Sequence, residues 1–400
     1  MFDLRMAECE YVFNKFKKEN PEFKGDEFDF LDADDVFDFH KSLPGYHSTP
    51  LFELPGLAKV CGVAKVFVKD ESRRFGLNAF KALGASYAIY RVLKERWREK
   101  FGSEFDLTSF KDDKKLKEFG EITFCAATDG NHGRAVAWTA RMLKQKAVIY
   151  MPAVTAKTRI DNIRAEGAKA VLVDGTFDDC VRMCAEDAQK FGWQTIADTA
   201  YSGYMDIPKY IVLGYSTLFR EMEESIHTPE KPIVDYVFLQ AGVGGLAAAG
   251  ASYYVKRYGK NYPHLICVEP TDSACYISSI KKGDGEPHQA EGKLESIMAG
   301  LNCGIPSLIA WPVIKETYDL FLSVSDNHAQ TAMREFYREN IISGESGSAG
   351  LAGLLALISE HNLKDVHEKL GIGMDSRVLF INTEGDTDPE NYKKITGAKF

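Results

Sequence analysis

The feature of this sequence that most limits its fold is an alternation between short β-branched runs and longer stretches with helical periodicity. From residue 65 onward, each apolar run is followed by a segment in which apolar residues recur every three or four positions. Strands that are connected by helices in this way form parallel sheets covered by those helices. The pattern therefore predicts an α/β fold, whose first four strands are expected in VFVKDE, ITFCAAT, AVIYMPA and AVLVDG.

The same alternation resumes after a long helical segment. That segment, IPKYIVLGYSTLFREMEE, follows the run WQTIADT, and further strands are expected in YVFLQ, LICVE and RVLFINT. We therefore predict two doubly wound parallel-sheet domains, the first inserted into the second. The larger domain is expected to comprise residues 1–74 and 207–400 and the smaller one residues 75–206, with the active site in the cleft between them.

The composition excludes several classes of partner. A formal net charge of −9 without a block of Lys and Arg argues against nucleic acid, whose phosphates require a basic surface. No apolar run approaches the roughly 20 residues that cross a bilayer, so a cytoplasmic protein without a membrane partner is expected. None of the eight cysteines lies in a CxxC pair or near histidines at zinc spacing, and no metal site is predicted.

One glycine-rich loop carries a phosphate-binding pattern. QAGVGGLAAAG, residues 240–250, follows a predicted strand and opens a helix, and it places Gly242, Gly244 and Ala247 in the GxGxxA spacing of a dinucleotide fold. Glu269 ends the next strand, 25 residues after Gly244. Glycines in such a loop let backbone N–H groups approach any phosphate, so the pattern fits NAD, a smaller phosphorylated cofactor, or a tight structural turn.

Two further polar loops follow predicted strands. TDGNHGR, residues 128–134, also opens a helix, and KDESRRFGLNAFK, residues 69–81, ends on Lys81. The carboxyl ends of parallel strands are where open α/β sheets bind ligands. A lysine near a phosphate-binding loop is typical of pyridoxal phosphate enzymes, in which the amine forms a Schiff base with the cofactor and backbone N–H groups hold its phosphate. An isolated surface charge is the other interpretation of Lys81.

These motifs resemble those of a known group of enzymes. NAFK, TDGNHG and AGVGGL are similar to the lysine, asparagine and phosphate loops of fold type II pyridoxal phosphate enzymes, and they occur in the same order. The longer blocks VKDESRRFGLNAFKALG, DTAYSGYMDIPKYIVLGY and NTEGDTD resemble the diaminopropionate ammonia-lyase family in particular, and the matching blocks span residues 44 to about 390. The resemblance implies the tryptophan synthase β-like architecture of fold type II.

The resemblance also implies a set of cofactor-binding residues. Lys81 is expected to form the Schiff base, Phe80 to pack near the cofactor ring and Asn131 to hydrogen-bond the ring hydroxyl oxygen. Thr383 is expected to offer its hydroxyl to the pyridine nitrogen. The phosphate is expected to be held by backbone N–H groups of four loop residues, Gly242, Val243, Gly244 and Gly245.

Two carboxylates distinguish the implied substrate site. Asp129 stands where serine and threonine dehydratases carry serine, and the resemblance gives it a place beside Thr128 and Gly130 in the substrate loop, with Asp198 as a second acid. A carboxylate near the substrate carboxylate is unfavourable unless the substrate brings another positive charge, and a β-ammonium group supplies one. Asp129 is also a common turn residue, and Asp198 fits an Asx turn after a strand.

The resemblance implies elimination of ammonia from D- and L-2,3-diaminopropionate, which yields pyruvate and two ammonia. Lys81, Asp129 and Asp198 are the expected catalytic residues, with Asp129 taking the Cα proton of the D isomer and Lys81 that of the L isomer. The resemblance alone implies a homodimer. The alternatives are a serine or threonine dehydratase of the same fold and an NAD-dependent oxidoreductase or nucleotide-binding protein.

Overall fold

The computed structural model describes residues 9–23, 31, 35–105, 107–108, 113–128, 130–226 and 230–398. The chain forms two compact units. The first unit holds the described residues within Met1–Asp32, Ser48–Arg74 and Leu218–Phe400, and the second holds those within Ala33–His47 and Phe75–Thr217. The boundaries between the units fall after residues 32, 47, 74 and 217, whereas the alternation of strands and helices predicts boundaries after residues 74 and 206.

Eleven strands are described. In chain order they are β1 (Tyr11–Phe13), β2 (Leu51–Glu53), β3 (Lys65–Asp70), β4 (Thr123–Ala127), β5 (Lys146–Pro152), β6 (Lys169–Val173), β7 (Gln194–Thr195), β8 (Tyr236–Gln240), β9 (His264–Pro270), β10 (Leu320–Val324) and β11 (Arg377–Asn382).

The described part of the chain also forms fifteen α-helices. They are α1 (Val36–Ser42), α2 (Pro55–Cys61), α3 (Lys81–Phe101), α4 (Asp113–Phe119), α5 (Asn131–Met142), α6 (Lys157–Ala165), α7 (Phe177–Phe191), α8 (Asp206–Ile226), α9 (Gly245–Tyr258), α10 (Cys275–Lys282), α11 (Ala310–Thr317), α12 (Asp326–Arg338), α13 (Ala349–Ser359), α14 (Lys364–Leu370) and α15 (Pro389–Thr396).

The first unit is built on a seven-stranded sheet of order β1-β10-β9-β8-β11-β3-β2. Its five central strands are parallel, and only the short edge strands β1 and β2 pair antiparallel. Every residue of β8 and β10 is buried, which is expected of strands covered by helices on both faces. The core on one face joins these strands to α13, whose sequence AGLAGLLALIS is almost entirely apolar.

The second unit contains a four-stranded parallel sheet of order β6-β5-β4-β7. On one face, α7 contributes Cys180 and Cys184 to a core that also includes Cys125 of β4 and Tyr150 of β5. The two units therefore confirm the predicted α/β class with parallel sheets. Within the described residues, no helix is both long and apolar enough to cross a membrane.

Both sheets direct polar loops from the carboxyl ends of their strands. In the second unit, β4 leads to Thr128 and β7 leads to Asp198. In the first unit, β8 leads into the glycine-rich loop and its neighbour β11 leads to Thr383. Since parallel strands end at a common edge, Thr128 and Asp198 lie along one edge of the second sheet, and the glycine-rich loop and Thr383 lie along one edge of the first.

Candidate active site

Lys81 is the first residue of helix α3 in the second unit. Its Nζ donates a hydrogen bond to Oδ2 of Asp198 at 2.7 Å, although 117 residues separate the two in sequence. The side chains of Lys81 and Asp198 are 20% and 25% exposed, so the ion pair is open to small molecules. Lys81 Nζ also lies 5.6 Å from the ring centroid of Phe80, and that ring packs against Tyr215.

The charge of Asp198 is set by its neighbours. Burial raises the pKa of its carboxyl, but attraction from Lys81 and His132 outweighs burial and holds that pKa well below the ordinary aspartate value. Asp198 is therefore a carboxylate at neutral pH. A carboxylate with such a low pKa is a poor proton acceptor, and it is better suited to binding a positively charged group.

The loop after β4 is held by hydrogen bonds of its own. The Thr128 hydroxyl oxygen accepts from the backbone N–H groups of Gly130 and Gly133 at 3.1 and 3.3 Å, which fixes the start of α5. Asn131 is the first residue of that helix. His132 Nε2 lies 2.7 Å from the carbonyl oxygen of Ile196, which ties this loop to the segment that carries Asp198. Thus Thr128, Gly130, Asn131 and Asp198 share one edge of the second sheet, whereas Asp129 lies outside the described residues.

In the first unit, the glycine-rich loop begins directly after β8 and ends in α9, a helix of 14 residues. Gly244 is the N-cap of α9 and has a φ of +98°, a backbone conformation that residues other than glycine rarely adopt. A Cβ at Gly244 would overlap the hydroxyl oxygen of Tyr276. The unpaired N–H groups at the start of a helix form an anion site, and this loop therefore fits a phosphate.

Thr383 follows β11 and is buried. Its hydroxyl oxygen accepts a hydrogen bond from Nε2 of Gln240 at 3.2 Å, and the same Nε2 donates to the carbonyl oxygens of Ser346 and Ile381 at 3.0 Å. Those two carbonyls identify the nitrogen side of the Gln240 amide, since a carbonyl cannot donate. The Thr383 proton is therefore directed to an acceptor other than Gln240, as hydrogen bonding to a pyridine nitrogen requires.

Gln240 is a supporting residue that the sequence motifs do not identify. A signal for it exists, since Gln240 is the buried polar end of the otherwise apolar run YVFLQ, immediately before the glycine-rich loop. A buried amide in such a position has to find partners. The structure shows that these partners include the hydroxyl of Thr383.

The groups found in each unit are of the kinds that bind pyridoxal phosphate. The second unit supplies an amine beside a carboxylate, and the first supplies a phosphate-binding helix start and an oriented hydroxyl. The pyridoxal-phosphate dependent enzyme family matches residues 43–384 of the chain. Diaminopropionate ammonia-lyase of Salmonella typhimurium is 39% identical over 367 residues, which make up 90% of this chain and 91% of that enzyme. The chain belongs to the diaminopropionate ammonia-lyase family.

A solved structure agrees with this membership. Holo diaminopropionate ammonia-lyase from Escherichia coli superposes with a TM-score of 0.86 and 38% identity, and the match covers 97% of this chain and 96% of that chain. The same enzyme has also been solved in complex with D-serine. In this ammonia-lyase family the cofactor is pyridoxal phosphate and not NAD.

The threonine dehydratases are more distant. Biosynthetic L-threonine dehydratase of Haemophilus influenzae is 28% identical over 75% of this chain, and the match covers only 50% of that enzyme. The ammonia-lyase relatives match at higher identity and over most of their own length. The fold is therefore common to both groups, and the ammonia-lyase family describes this chain better.

Proposed function

We propose that the protein catalyses the α,β-elimination of ammonia from D- and L-2,3-diaminopropionate, which with water gives pyruvate and two ammonia. The observation that carries this proposal is the Lys81–Asp198 pair at 2.7 Å, beside the asparagine loop, in a member of the ammonia-lyase family. When bound, pyridoxal phosphate withdraws electrons from Cα and so makes the Cα proton acidic. The protein has to hold the cofactor, move the proton and bind a doubly charged substrate.

We assign the two members of the pair different tasks. Lys81 is the covalent attachment point and, once released, the amine that takes the Cα proton from the L isomer. The positive charge of Lys81 is one of the groups that hold the pKa of Asp198 low. When Lys81 is not protonated, an ammonium group of the substrate supplies the positive charge beside this carboxylate, and we therefore assign Asp198 to electrostatic binding.

The cofactor-binding assignments follow from the local geometry of each unit. We assign the phosphate to the backbone N–H groups of Gly242–Gly245, because they open a helix of 14 residues. We assign the Thr383 hydroxyl as the donor to the pyridine nitrogen. Gln240 supports this role because its amide donates to the same hydroxyl oxygen, which leaves the hydroxyl proton for another acceptor. A neutral hydroxyl leaves that nitrogen largely unprotonated, which suits an elimination. Asn131 is assigned to the ring hydroxyl oxygen and Phe80 to packing near the ring.

The substrate preference rests on Asp129, which lies outside the described residues. We assign it the Cα proton of the D isomer and attraction to the β-ammonium group. Thr128 and Gly130 are assigned to the substrate carboxylate, and the Thr128 hydroxyl oxygen already organises this loop.

A location in the cytoplasm and a homodimer belong to the same proposal. The location rests on the lack of a membrane-length apolar run in the sequence, and the dimer rests on the family resemblance. Size-exclusion chromatography with light scattering tests the dimer.

The decisive experiment compares both isomers in one variant. Asp129→Asn keeps the turn-forming character of the residue and removes its carboxylate. We expect D-diaminopropionate turnover to fall by roughly 10²-fold or more, the usual effect of removing a positioned general base, while most L turnover remains. Pyruvate and ammonia are measured together, since diaminopropionate yields two ammonia per pyruvate and serine yields one.

Asp174→Asn is the matched control. Asp174 also precedes a glycine after a strand of the second sheet, and its side chain is exposed, so both isomers should react as in the native protein. An equal loss on both isomers in Asp129→Asn would assign Asp129 to binding of the β-ammonium. If neither isomer is affected and serine or threonine reacts faster than diaminopropionate, the dehydratase alternative replaces this proposal.

A further inference from the structure

Glu269 is a buried acid that the proposed chemistry does not use. It lies near the end of β9, and its side chain is fully buried. Its two carboxyl oxygens accept hydrogen bonds from the backbone N–H groups of Tyr276 and Ile277 at 2.8 and 3.0 Å. Burial raises the pKa of Glu269 to about 8, even though these N–H groups favour the charged form. Burying a carboxyl group is energetically unfavourable, so we expect Glu269 to hold a particular part of the structure in place.

What Glu269 organises is the first turn of α10, and that turn contacts the glycine-rich loop. The Tyr276 hydroxyl donates to the carbonyl oxygen of Val243 at 2.9 Å. The Cys275 thiol lies 3.8 Å from the carbonyl oxygen of Gly242. Two consecutive side chains at the start of α10 therefore contact two consecutive carbonyls of the loop, and the Val243 carbonyl oxygen also accepts from the backbone N–H of Ser307 at 3.0 Å.

The contact between α10 and the loop is also tight. The close approach of Tyr276 leaves no room for a side chain at Gly244, and a Cβ at Gly242 would lie 2.8 Å from the sulfur of Cys303. Tyr276 is fully buried and its ring stacks on Phe321 of β10, so it has little freedom to move away. The position of the loop backbone is thus coupled to the position of the Tyr276 ring.

We infer that Glu269 and Tyr276 are positioning residues for the phosphate loop. Glu269 holds the start of α10, and Tyr276 passes that placement to the Val243 carbonyl. Because the carbonyl of one residue and the N–H of the next residue belong to the same planar peptide group, fixing the Val243 carbonyl also fixes the direction of the Gly244 N–H. The inference rests on the proposed phosphate-binding role of this loop.

The inference also explains the dinucleotide pattern of the sequence. In a dinucleotide fold the acid at the end of the next strand binds a ribose hydroxyl. Here both oxygens of Glu269 are engaged by backbone N–H groups of α10. The same spacing of glycines and acid therefore serves to build the phosphate loop itself.

The test measures cofactor affinity with and without the phosphate. Apo-protein is titrated with pyridoxal phosphate and, separately, with pyridoxal, and binding is followed by absorbance. Tyr276→Phe removes one hydroxyl and keeps the ring, and we expect it to weaken pyridoxal phosphate roughly 3- to 10-fold, the scale of one hydrogen bond. Glu269→Gln replaces one acceptor by a donor, and we expect a loss of about tenfold or more. Pyridoxal affinity should stay within about twofold in both variants, and so should kcat at saturating cofactor.

Tyr236→Phe is the matched control. Tyr236 is a buried tyrosine of the same unit whose hydroxyl donates to the carbonyl oxygen of Leu370 at 2.6 Å, at the start of β8 and away from the loop. This variant should lose a similar hydrogen bond and bind pyridoxal phosphate as the native protein does.

The outcomes separate this inference from the proposed function. If the native protein binds pyridoxal phosphate and Tyr276→Phe binds it equally well, the inference is wrong and the proposed function stands. It is also wrong if Tyr236→Phe weakens binding as much as Tyr276→Phe, or if pyridoxal and pyridoxal phosphate lose affinity in parallel. A native protein that binds pyridoxal and pyridoxal phosphate with the same affinity overturns the phosphate role of the loop, and with it the proposal.

Discussion

Each of the two units contains a lysine–carboxylate pair with nearly the same geometry. In the second unit Lys81 and Asp198 are 2.7 Å apart, and in the first unit Lys69 and Glu221 are 2.6 Å apart. The side chains of the first pair are 20% and 25% exposed, whereas those of the second pair are each 1% exposed. Distance therefore does not distinguish the two pairs, and access does.

The buried pair belongs to a closed network of charged groups. Arg74 donates to both oxygens of Glu221 at 2.8 and 2.7 Å and to both oxygens of Glu71 at 2.7 Å. Lys69 donates to Glu221 and to the carbonyl oxygen of Thr49. Two cations thus face two carboxylates, and the hydrogen bonds satisfy the charges inside the first unit.

The two lysines differ in their access to a ligand. A lysine whose donors are used by a closed network of buried groups contributes to the fold. A lysine that is partly exposed, beside a carboxylate and at the carboxyl edge of a parallel sheet, is available to a ligand. In the sequence, both lysines lie within one 13-residue segment, since Lys69 begins KDESRRFGLNAFK and Lys81 ends it.

The largest expected effect is the loss of activity in Lys81→Ala. We expect turnover of diaminopropionate to fall by about 10⁴-fold or more, because no other group replaces the covalent link. The unfolding free energy should change by only about 1 kcal/mol or less, as expected for a partly exposed ion pair. The measurements are steady-state kinetics and denaturant unfolding.

The variant Lys81→Arg separates the role of the positive charge from that of the covalent link. Arginine keeps a positive charge beside Asp198 but does not form the covalent link, so this variant should be as inactive as Lys81→Ala. Borohydride reduction of the native protein followed by peptide mass spectrometry should place the cofactor mass on Lys81. Finding that mass on another lysine would remove the distinction between the two pairs.

The opposite behaviour is expected of Lys69→Met. Removing one cation from the buried network leaves two carboxylates facing Arg74 alone, so one buried negative charge is uncompensated and the unfolding free energy should fall by about 3–5 kcal/mol. Turnover per folded molecule should be unchanged, because Lys69 does not belong to the proposed active site. Denaturant unfolding and kinetics on the folded fraction check both statements.

A double variant tests the origin of that loss. Lys69→Met combined with Glu221→Gln removes one charge of each sign and should be less destabilised than the two single losses added together. Strict additivity would show that the buried pair does not interact as its 2.6 Å separation implies.

Lowering the pH is expected to have a smaller effect on the unfolding free energy. Burial raises the pKa of Glu221, but Arg74 and Lys69 outweigh it and lower that pKa from 4.5 to about 2. The stability that this charge contributes is present above pH 4.5 and is lost as the pH falls toward 2, in total up to about 3 kcal/mol. Unfolding of the native protein and Glu221→Gln is compared from pH 6 to pH 3. Their difference should narrow below pH 4.5, and a constant difference would contradict the low pKa.

Local patterns of the sequence predicted much of the fold. The run YVFLQ coincides with β8, and the runs VFVKDE, ITFCAAT and RVLFINT overlap β3, β4 and β11. Apolar periodicity is a local property, which is why these elements can be located in one sequence. The edge strands β1 and β2 were not predicted, because three residues that pair on one side only leave a weak pattern.

The α/β class, the glycine loop that opens a helix and the candidate lysine can be read from local sequence, since each depends on neighbouring residues. Which acid each lysine contacts depends on the tertiary structure, because Lys81 and Asp198 are 117 residues apart and Lys69 and Glu221 are 152 apart. The tertiary structure also places Glu269 against the start of α10. Contacts between distant residues depend on how helices and sheets pack, and burial then determines whether a charge supports the fold or is available for chemistry.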